Sequence, residues 1–253
     1  MQVTFLGTGT SQGVPVIGCD CSVCTSLDFR DKRLRTSVYI QNGPDRFVID
    51  TGPDFRQQML RERINRLHAV VFTHAHKDHT AGLDDVRSFN FLQSSDMPVY
   101  GQLEVLHQIR TEFAYAFGEK KYPGIPLLTL NEIKDEPFAI GETTLIPLPV
   151  THLRLPVLGF RIGDFAYITD ANFIPESTYD LLRGVRVMVL NALQREAHVS
   201  HFNLEQAVEV ARKIGAEDTW FTHLSHKMGL HAQTEKELPA GIRLAFDGMI
   251  LNL

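Results

Sequence analysis

The chain has 253 residues, 43% of them hydrophobic, enough to bury a full core within one large α/β domain spanning residues 1–253. Its formal net charge of −5 lacks the basic footprint of a nucleic-acid binder, although metal ions could still hold a small anionic substrate. The opening Met1-Gln2-Val3-Thr4-Phe5-Leu6 carries no basic segment ahead of an apolar run, and no stretch approaches the ~20 apolar residues of a membrane span. A soluble, cytoplasmic protein without a membrane partner is the expectation.

Branched and aromatic runs predict strands at residues 3–6, 37–40, 47–49, 69–72, 144–147, 165–168, 187–190, 219–221 and 244–246. Apolar residues at helical spacing predict helices over residues 55–63, 83–91, 103–117 and 204–214. Grouped strands with helices between them predict two central sheets with helices packed outside. No linker, low-complexity run or internal repeat divides the chain. The segment Tyr122-Pro123-Gly124-Ile125-Pro126 is the expected mobile loop.

The word carrying most chemistry is Phe72-Thr73-His74-Ala75-His76-Lys77-Asp78-His79, in which an apolar strand ends and a His-x-His-x-Asp-His sequence begins. Imidazole and carboxylate suit zinc, manganese or iron. Four potential ligands at the end of a rigid strand can serve two adjacent metals, His74 and His76 on one, Asp78 and His79 on the other. A polar surface turn has little use for so compact a mixed ligand set. Later residues must complete both spheres, and His152, Asp170 and His223 each stand just past an apolar strand. Singly, each also reads as a capped turn or a surface residue; together with the His-rich loop they read as ligands.

A second cluster, Cys19-Asp20-Cys21-Ser22-Val23-Cys24, holds all three cysteines. An odd number in one group argues against disulfides and for a thiolate metal site in a reducing compartment. Three thiolates need a fourth ligand to close a tetrahedral zinc site; a redox-active cluster and simple burial are the rival readings. Gly7, Gly9 and Gly13 do not match the dinucleotide-binding spacing, and Val14-Pro15 starts a helix poorly, so this stretch reads as a strand-to-loop turn near the metal site.

The ordered set of His-rich loop, later His, Asp and final His resembles the metallo-β-lactamase superfamily. That resemblance implies an αββα sandwich with two central mixed sheets flanked by helices. It implies that His74, His76 and His152 hold one metal, that Asp78, His79 and His223 hold the other, and that Asp170 bridges them. Asp50, in Ile49-Asp50-Thr51-Gly52, matches the family's aspartate that orients a ligand histidine; from spacing alone it reads equally as a turn former. The Gly-Thr-Ser-Gln-Gly-Val-Pro stretch with its Cys cluster, and Phe246-Asp247-Gly248-Met249, look like the phosphodiesterase family of the carbon–phosphorus lyase operon. On that resemblance His226, three positions after His223, closes a structural zinc site with Cys19, Cys21 and Cys24, and a homodimer is implied. Residues 91–145 carry no matching motif.

These resemblances imply a hydrolase in which two metals, zinc, manganese or iron, activate a bridging hydroxide against a small phosphodiester. The candidate catalytic residues are Asp78 and His201. His201 lies just before a helix with Asn203 as its cap and matches the family's proton donor to the leaving group, a role that suits a group titrating near neutrality; otherwise it is an exposed pre-helical residue. His198 is the alternative donor, while His68, His107 and His231 read as structural or surface residues. The expected substrate is a ribosyl 1,2-cyclic phosphate or a nucleoside 2′,3′-cyclic phosphate. The alternatives are a ribonuclease Z-like tRNA 3′-processing endonuclease, whose long basic Gly/Pro-rich arm is missing from this sequence, and a non-catalytic metal-binding accessory protein. A nucleic acid polymer is disfavoured as partner by the acidic balance.

Overall fold

The computed structural model describes residues 1–118 and 123–253. Tyr122, first residue of the loop expected over 122–126, lies outside them; Pro123 and Gly124 form a turn, and Ile125 is buried. Six strands come first: β1 (Gln2–Gly7), β2 (Ser37–Asn42), β3 (Asp45–Ile49), β4 (Ala69–Val71), β5 (Met97–Gly101) and β6 (Leu128–Glu132). Next come β7 (Phe138–Ile140), β8 (Thr143–His152), β9 (Leu155–Ile162), β10 (Phe165–Ile168), β11 (Val187–Asn191), β12 (Asp218–Thr222), β13 (Ile242–Leu244) and β14 (Ile250–Asn252). Among the described residues they make two seven-stranded sheets, ordered β14-β1-β2-β3-β4-β5-β6 and β13-β12-β11-β10-β9-β8-β7.

The two sheets repeat one pattern of pairing. In the first, β14–β1, β1–β2 and β2–β3 are antiparallel, whereas β3–β4, β4–β5 and β5–β6 are parallel. In the second, β7–β8, β8–β9 and β9–β10 are antiparallel, and β10–β11, β11–β12 and β12–β13 are parallel. Each parallel step needs a crossover, and helices supply them. In the first half these are α1 (Phe55–Arg61), α2 (Lys77–Thr80), α3 (Arg87–Gln93), α4 (Leu103–Glu112) and α5 (Ala114–Phe117); in the second they are α6 (Glu176–Leu181), α7 (Leu204–Ile214) and α8 (His231–Glu237).

Strands covered on both faces are apolar at every position, and that is how the three layers of core arise. Phe47 and Ile49 of β3 face Phe160, Phe165 and Tyr167 in the core between the sheets, whereas Val48 packs outward with Phe55 and Phe89 beneath the first helices. Likewise Ala166 and Ile168 of β10 turn away from the other sheet, toward Leu182, Ala207 and Val210. The architecture is the αββα sandwich with two mixed sheets. Several boundaries move. The helix expected over 103–117 breaks at Phe113, whose φ −106 and ψ 35 depart from helical values. The one expected over 83–91 begins as a 3-10 turn, Leu83–Val86, before α3 (Arg87–Gln93). The strand expected at 244–246 is β13, two residues earlier, because Ala245 N bonds back to Phe221 O while Phe246 leaves the ladder.

Phe160 is fully buried between the sheets, edge-on to Phe138. Phe160→Ala should lower unfolding stability by about 3–5 kcal/mol, read as a shifted urea midpoint with an unchanged slope.

Candidate metal centre

The segments that follow β3, β4, β10 and β12 converge at the C-terminal ends of those parallel strands, where open α/β sheets present their sites. Asp50 directly follows β3, Thr73 and His74 follow β4, Asp170 follows β10, and His223 directly follows β12. Asp50, Asp170 and His223 all have positive φ, 67°, 54° and 57°. Left-handed backbone is unfavourable for such residues, and here it turns three strand-end side chains inward.

Asp50 organises the first half of the site. Its fully buried carboxylate accepts the Thr73 N–H at 2.9 Å, the Thr73 hydroxyl at 2.9 Å and His79 Nδ1–H at 2.7 Å. Burial pushes the Asp50 carboxyl up against the pull of those partners. Because His79 gives its Nδ1 proton to Asp50, its Nε2 faces Asp78 and Asp170, 3.3 Å from each. Burial opposes the charge, yet the carboxylates of Asp170, Asp50 and Asp78 hold the His79 imidazole well above its usual range. Thr73 also accepts from His74 Nδ1 at 2.9 Å, leaving His74 Nε2 buried without a partner. Burial, reinforced by the charge of His79, keeps His74 well below its ordinary value. A close backbone approach fixes the two loops together: Thr51 N donates to His79 O at 2.8 Å, and a Cβ on Gly52 would fall 2.1 Å from the Asp78 carbonyl oxygen.

The second half supplies the facing groups. His152 donates Nδ1–H to the Ser200 carbonyl at 2.7 Å, which frees its Nε2. His223 Nε2 lies 3.2 Å from Asp170, its Nδ1 lies 3.3 Å from the Thr36 hydroxyl, and burial lowers its pKa to about 4. His76, exposed at the N-terminus of α2, has its ring centroid 4.5 Å from that of His74 and 5.2 Å from that of His152. Asp78, His79, Asp170 and His223 each offer a donor atom within 4.8 Å of the others, and His152, Asp170 and His201 form another such group. Asp170 is common to both groups. His201, 8% exposed, reaches Asp170 Oδ1 with Nε2 at 3.0 Å and the Ser200 hydroxyl with Nδ1 at 3.0 Å. His198 is exposed and stands 3.3 Å behind it.

The cysteine cluster assembles separately. Cys19, Cys21 and Cys24 lie 3.3, 3.4 and 3.6 Å from His226 Nδ1. Tetrahedral zinc with ordinary Zn–S and Zn–N lengths requires edges of about 3.5 Å, so this donor set fits. The Cys24 amide and the His226 imidazole draw the Cys21 thiol down to about 6, whereas burial pushes Cys24 up to about 11. The oxygen and nitrogen set fits a divalent pair on different grounds: mixed donors around a shared carboxylate, and the orphaned buried Nε2 atoms of His74 and His79.

Of the expected ligands, Asp78, His79, His152 and His223 gather around Asp170, His74 and His76 stand ring against ring with His79 and His152, and Cys19, Cys21, Cys24 and His226 form a separate group, while His68 and His107 are exposed. His231 is buried, accepting from Arg33 Nη2 at 3.0 Å. Sequence reasoning missed Thr73, Ser200 and Thr36. Thr73 borders the ligand word and could have been found there; Ser200 acts through its backbone and leaves no side-chain signal.

A two-sheet sandwich with a His- and Asp-rich site at its strand ends is the architecture of the metallo-β-lactamase class of proteins. A family model described as a beta-lactamase superfamily domain matches residues 45–224. A crystal structure described as a new diphosphatase from the PhnP family is 40% identical, covers 99% of this chain and 96% of its own, and superposes with a TM-score of 0.93. The chain thus belongs to the metallo-β-lactamase superfamily and, within it, to the PhnP family. Zn(2+)-bound PqqB from Methylobacterium extorquens shares the fold at 18% identity and a TM-score of 0.80, each chain covered completely. A protein named octanoyltransferase from Porphyromonas gingivalis is 42% identical over 252 residues, which are 98% of this chain and 51% of that protein. The chain spans about half of that curated relative's length. Among the described residues no helix is long and apolar enough to cross a membrane.

Asp50→Asn should weaken divalent metal binding by about 10–100-fold with the fold intact, measured by competition with a chelating dye. At neutral pH His74, His152 and His223, all shifted down, are already neutral, whereas His79, shifted up, carries a proton. Metal loading should therefore expel about one proton, and affinity should rise with pH until His79 titrates; calorimetry in buffers of different ionisation enthalpy reads this directly.

Proposed function

We propose that the chain is a binuclear metal-dependent phosphodiesterase acting on a small cyclic phosphodiester, a ribosyl 1,2-cyclic phosphate or a nucleoside 2′,3′-cyclic phosphate. The observation carrying this reading is Asp170, whose Oδ2 lies 3.3 Å from His79 Nε2 and whose Oδ1 lies 3.2 Å from His223 Nε2 and 3.0 Å from His201 Nε2, with His152 grouped around it as well. A bound pair of zinc, manganese or iron ions would supply Lewis acidity and a water of lowered pKa. The chain's own part is orientation and proton traffic. His74, His76 and His152 on one side, and Asp78, His79 and His223 on the other, hold that chemistry beside one shared carboxylate. His201 holds a proton at Nε2 for the leaving alkoxide, and Ser200 and Asp170 fix its ring from both ends. The buried position of His201 and its contact with Asp170 support it as donor over the exposed His198.

The PhnP-family diphosphatase supports a second reading, hydrolysis of a diphosphate diester, in which each phosphorus beside the bridging oxygen is an anionic centre carrying two bonded oxygen substituents, as in a phosphodiester. Ribonuclease Z-like processing is disfavoured by the net charge of −5. The thiolate cluster suits a reducing compartment such as the cytoplasm, and a homodimer is the proposed assembly, to be read by sedimentation.

The Mn²⁺-loaded protein should turn over bis(p-nitrophenyl) phosphate, and it should prefer cyclic nucleotides to tRNA precursors and diphosphate diesters. His201→Gln should cut kcat by about 10²–10⁴-fold, and His76→Ala should abolish turnover. No turnover by the wild type, or equal turnover by His76→Ala, would remove the hydrolase reading. Metal analysis should give about three metals per chain, one of them released only on cysteine alkylation.

A further inference from the structure

Asp170 is held in place by two residues that are not metal ligands themselves. Its backbone is fixed from β11. The fully buried Asn191 side chain accepts the Ala171 N–H and donates to the Ala171 carbonyl, each at 2.9 Å. It thereby ties the chain just past Ile168 and Leu190, the last paired residues of β10 and β11, and pins the turn in which Asp170 has its φ of 54°. The carboxylate is fixed from Thr169, whose hydroxyl donates to Asp170 Oδ2 at 2.5 Å. Thr169 is fully buried and Asp170 only 2% exposed, so water offers neither group another partner. The direction of the bond follows from chemistry: a metal-ligating carboxylate is ionised and only accepts, whereas a hydroxyl has one proton to give.

The other partners of this carboxylate are imidazoles: His79 at Oδ2, and His201 and His223 at Oδ1. A His79 or His223 nitrogen that ligates metal has no proton left for Asp170, and His201 is the proton carrier for the leaving group. Among the described residues, Thr169 therefore makes the one side-chain hydrogen bond to Asp170 that neither metal loading nor proton transfer consumes. The bond matters because the last torsion of an aspartate is broad, so a fixed backbone does not by itself set the plane of the carboxylate. We propose that Thr169 is a positioning residue, whose hydroxyl holds the shared carboxylate in its metal-receiving orientation before either ion arrives. The proposal rests on the reading of Asp170 as the ligand common to two metals, but not on which diester is cleaved. Asp50 carries the same device, the Thr73 hydroxyl at 2.9 Å. Each strand-end aspartate of the site thus has one buried threonine hydroxyl to aim it.

The test uses wild type, Thr169→Val and Thr169→Ser, each stripped of its weaker metals by a mild chelator and titrated with Zn²⁺ against a chelating dye. Valine keeps the shape and removes the proton donor; serine keeps the donor and removes the methyl. Thr169→Val should bind zinc at the oxygen–nitrogen set about 10–100-fold more weakly, the range for a metal ligand that loses the partner orienting it. Thr169→Ser should return to the wild-type affinity. Zinc released only on cysteine alkylation should be the same in all three, which separates lost positioning from a misfolded chain. Unchanged affinity in Thr169→Val, or a loss that Thr169→Ser shares, would overturn the proposal. Should Thr169→Val not fold, NMR of threonine-labelled, zinc-loaded wild type decides. A slowly exchanging Thr169 hydroxyl proton sustains the bond, and one that exchanges freely with solvent ends it. Absence of zinc from the oxygen–nitrogen set of the wild type would end the metal reading and this proposal together. Turnover enters none of these measurements, so failure to hydrolyse bis(p-nitrophenyl) phosphate would count against the phosphodiesterase reading alone.

Discussion

A carboxylate with no access to water, Asp50, holds this molecule's chemistry in place. Removing such a group from solvent is costly unless every lone pair finds a donor. Here the backbone and hydroxyl of Thr73 and the ring of His79 satisfy it. Those three bonds do different jobs. The Thr73 amide ties the end of β4 to the end of β3, the Thr73 hydroxyl passes the orientation on to His74, and the His79 bond selects the tautomer that leaves Nε2 toward the shared carboxylate. Replacing Asp50 would leave a buried imidazole without its acceptor and a strand-end turn without its clamp, so the ligand set would lose its preorganisation before any ligand itself was touched.

The paired topology of the sheets explains where the second carboxylate comes from. β3 and β10 occupy the same place in their sheets, at the switch from antiparallel to parallel pairing, and each is followed closely by an aspartate with positive φ. One architectural position thus yields two roles. Asp50 is buried behind its sheet's His-rich loop and faces a histidine Nδ1, whereas Asp170 is presented to His79, His201 and His223 and faces their Nε2 atoms. The difference is set by neighbours: Thr73 satisfies Asp50 from its own half, while Asp170 meets imidazoles from both. Two halves with the same pairing order, placed face to face, therefore bring one strand-end carboxylate to the midline.

How much of this is legible in the sequence follows from where each signal is stored. β10 (Phe165–Ile168) and α7 (Leu204–Ile214) match their expected bounds because their limits are written locally. β10 is a continuous apolar run, and α7 carries an Asn203–Gln206 capping box and a left-handed Gly215 at its end. β5, with Pro98, and β6, a half-exposed edge strand, escape pattern reading because their pairing partners, not their composition, make them strands. The break at Phe113 is likewise a matter of packing, since the apolar spacing continues through it. In the site, Cys19, Cys21 and Cys24 and the 74–79 ligands are readable as words, while His152, Asp170 and His223 gain meaning only as a set. Of the groups that aim the ligands, the Thr73 hydroxyl is legible only through its place beside the ligand word, while the Thr36 hydroxyl and the Ser200 carbonyl carry no type-specific signal at all.

Beneath the cysteine loop lies a second buried charge network that makes the loop part of the sandwich. Arg33, 5% exposed, donates to the Thr8 hydroxyl and the Ala245 carbonyl, each at 2.7 Å, and to His231. Asp247 accepts from Thr8 and from the Leu34 amide at 2.7 Å, and Asp31 accepts the His231 amide at 2.7 Å. Burial draws Arg33 down to about 10, still far above neutrality, so the guanidinium stays charged and its carboxylate neighbours stay useful. This network fixes the ends of the loop, and its middle, from Val16 to Cys24, packs in a small apolar cluster with Val14 and Leu230. Cys19, Cys21 and Cys24 lie within 3.6 Å of His226 Nδ1, so the loop is laid against the segment that follows β12. The cysteines thus pose the same geometric problem as Asp50: in each case side chains from one loop gather on the ring of a histidine that follows a strand end.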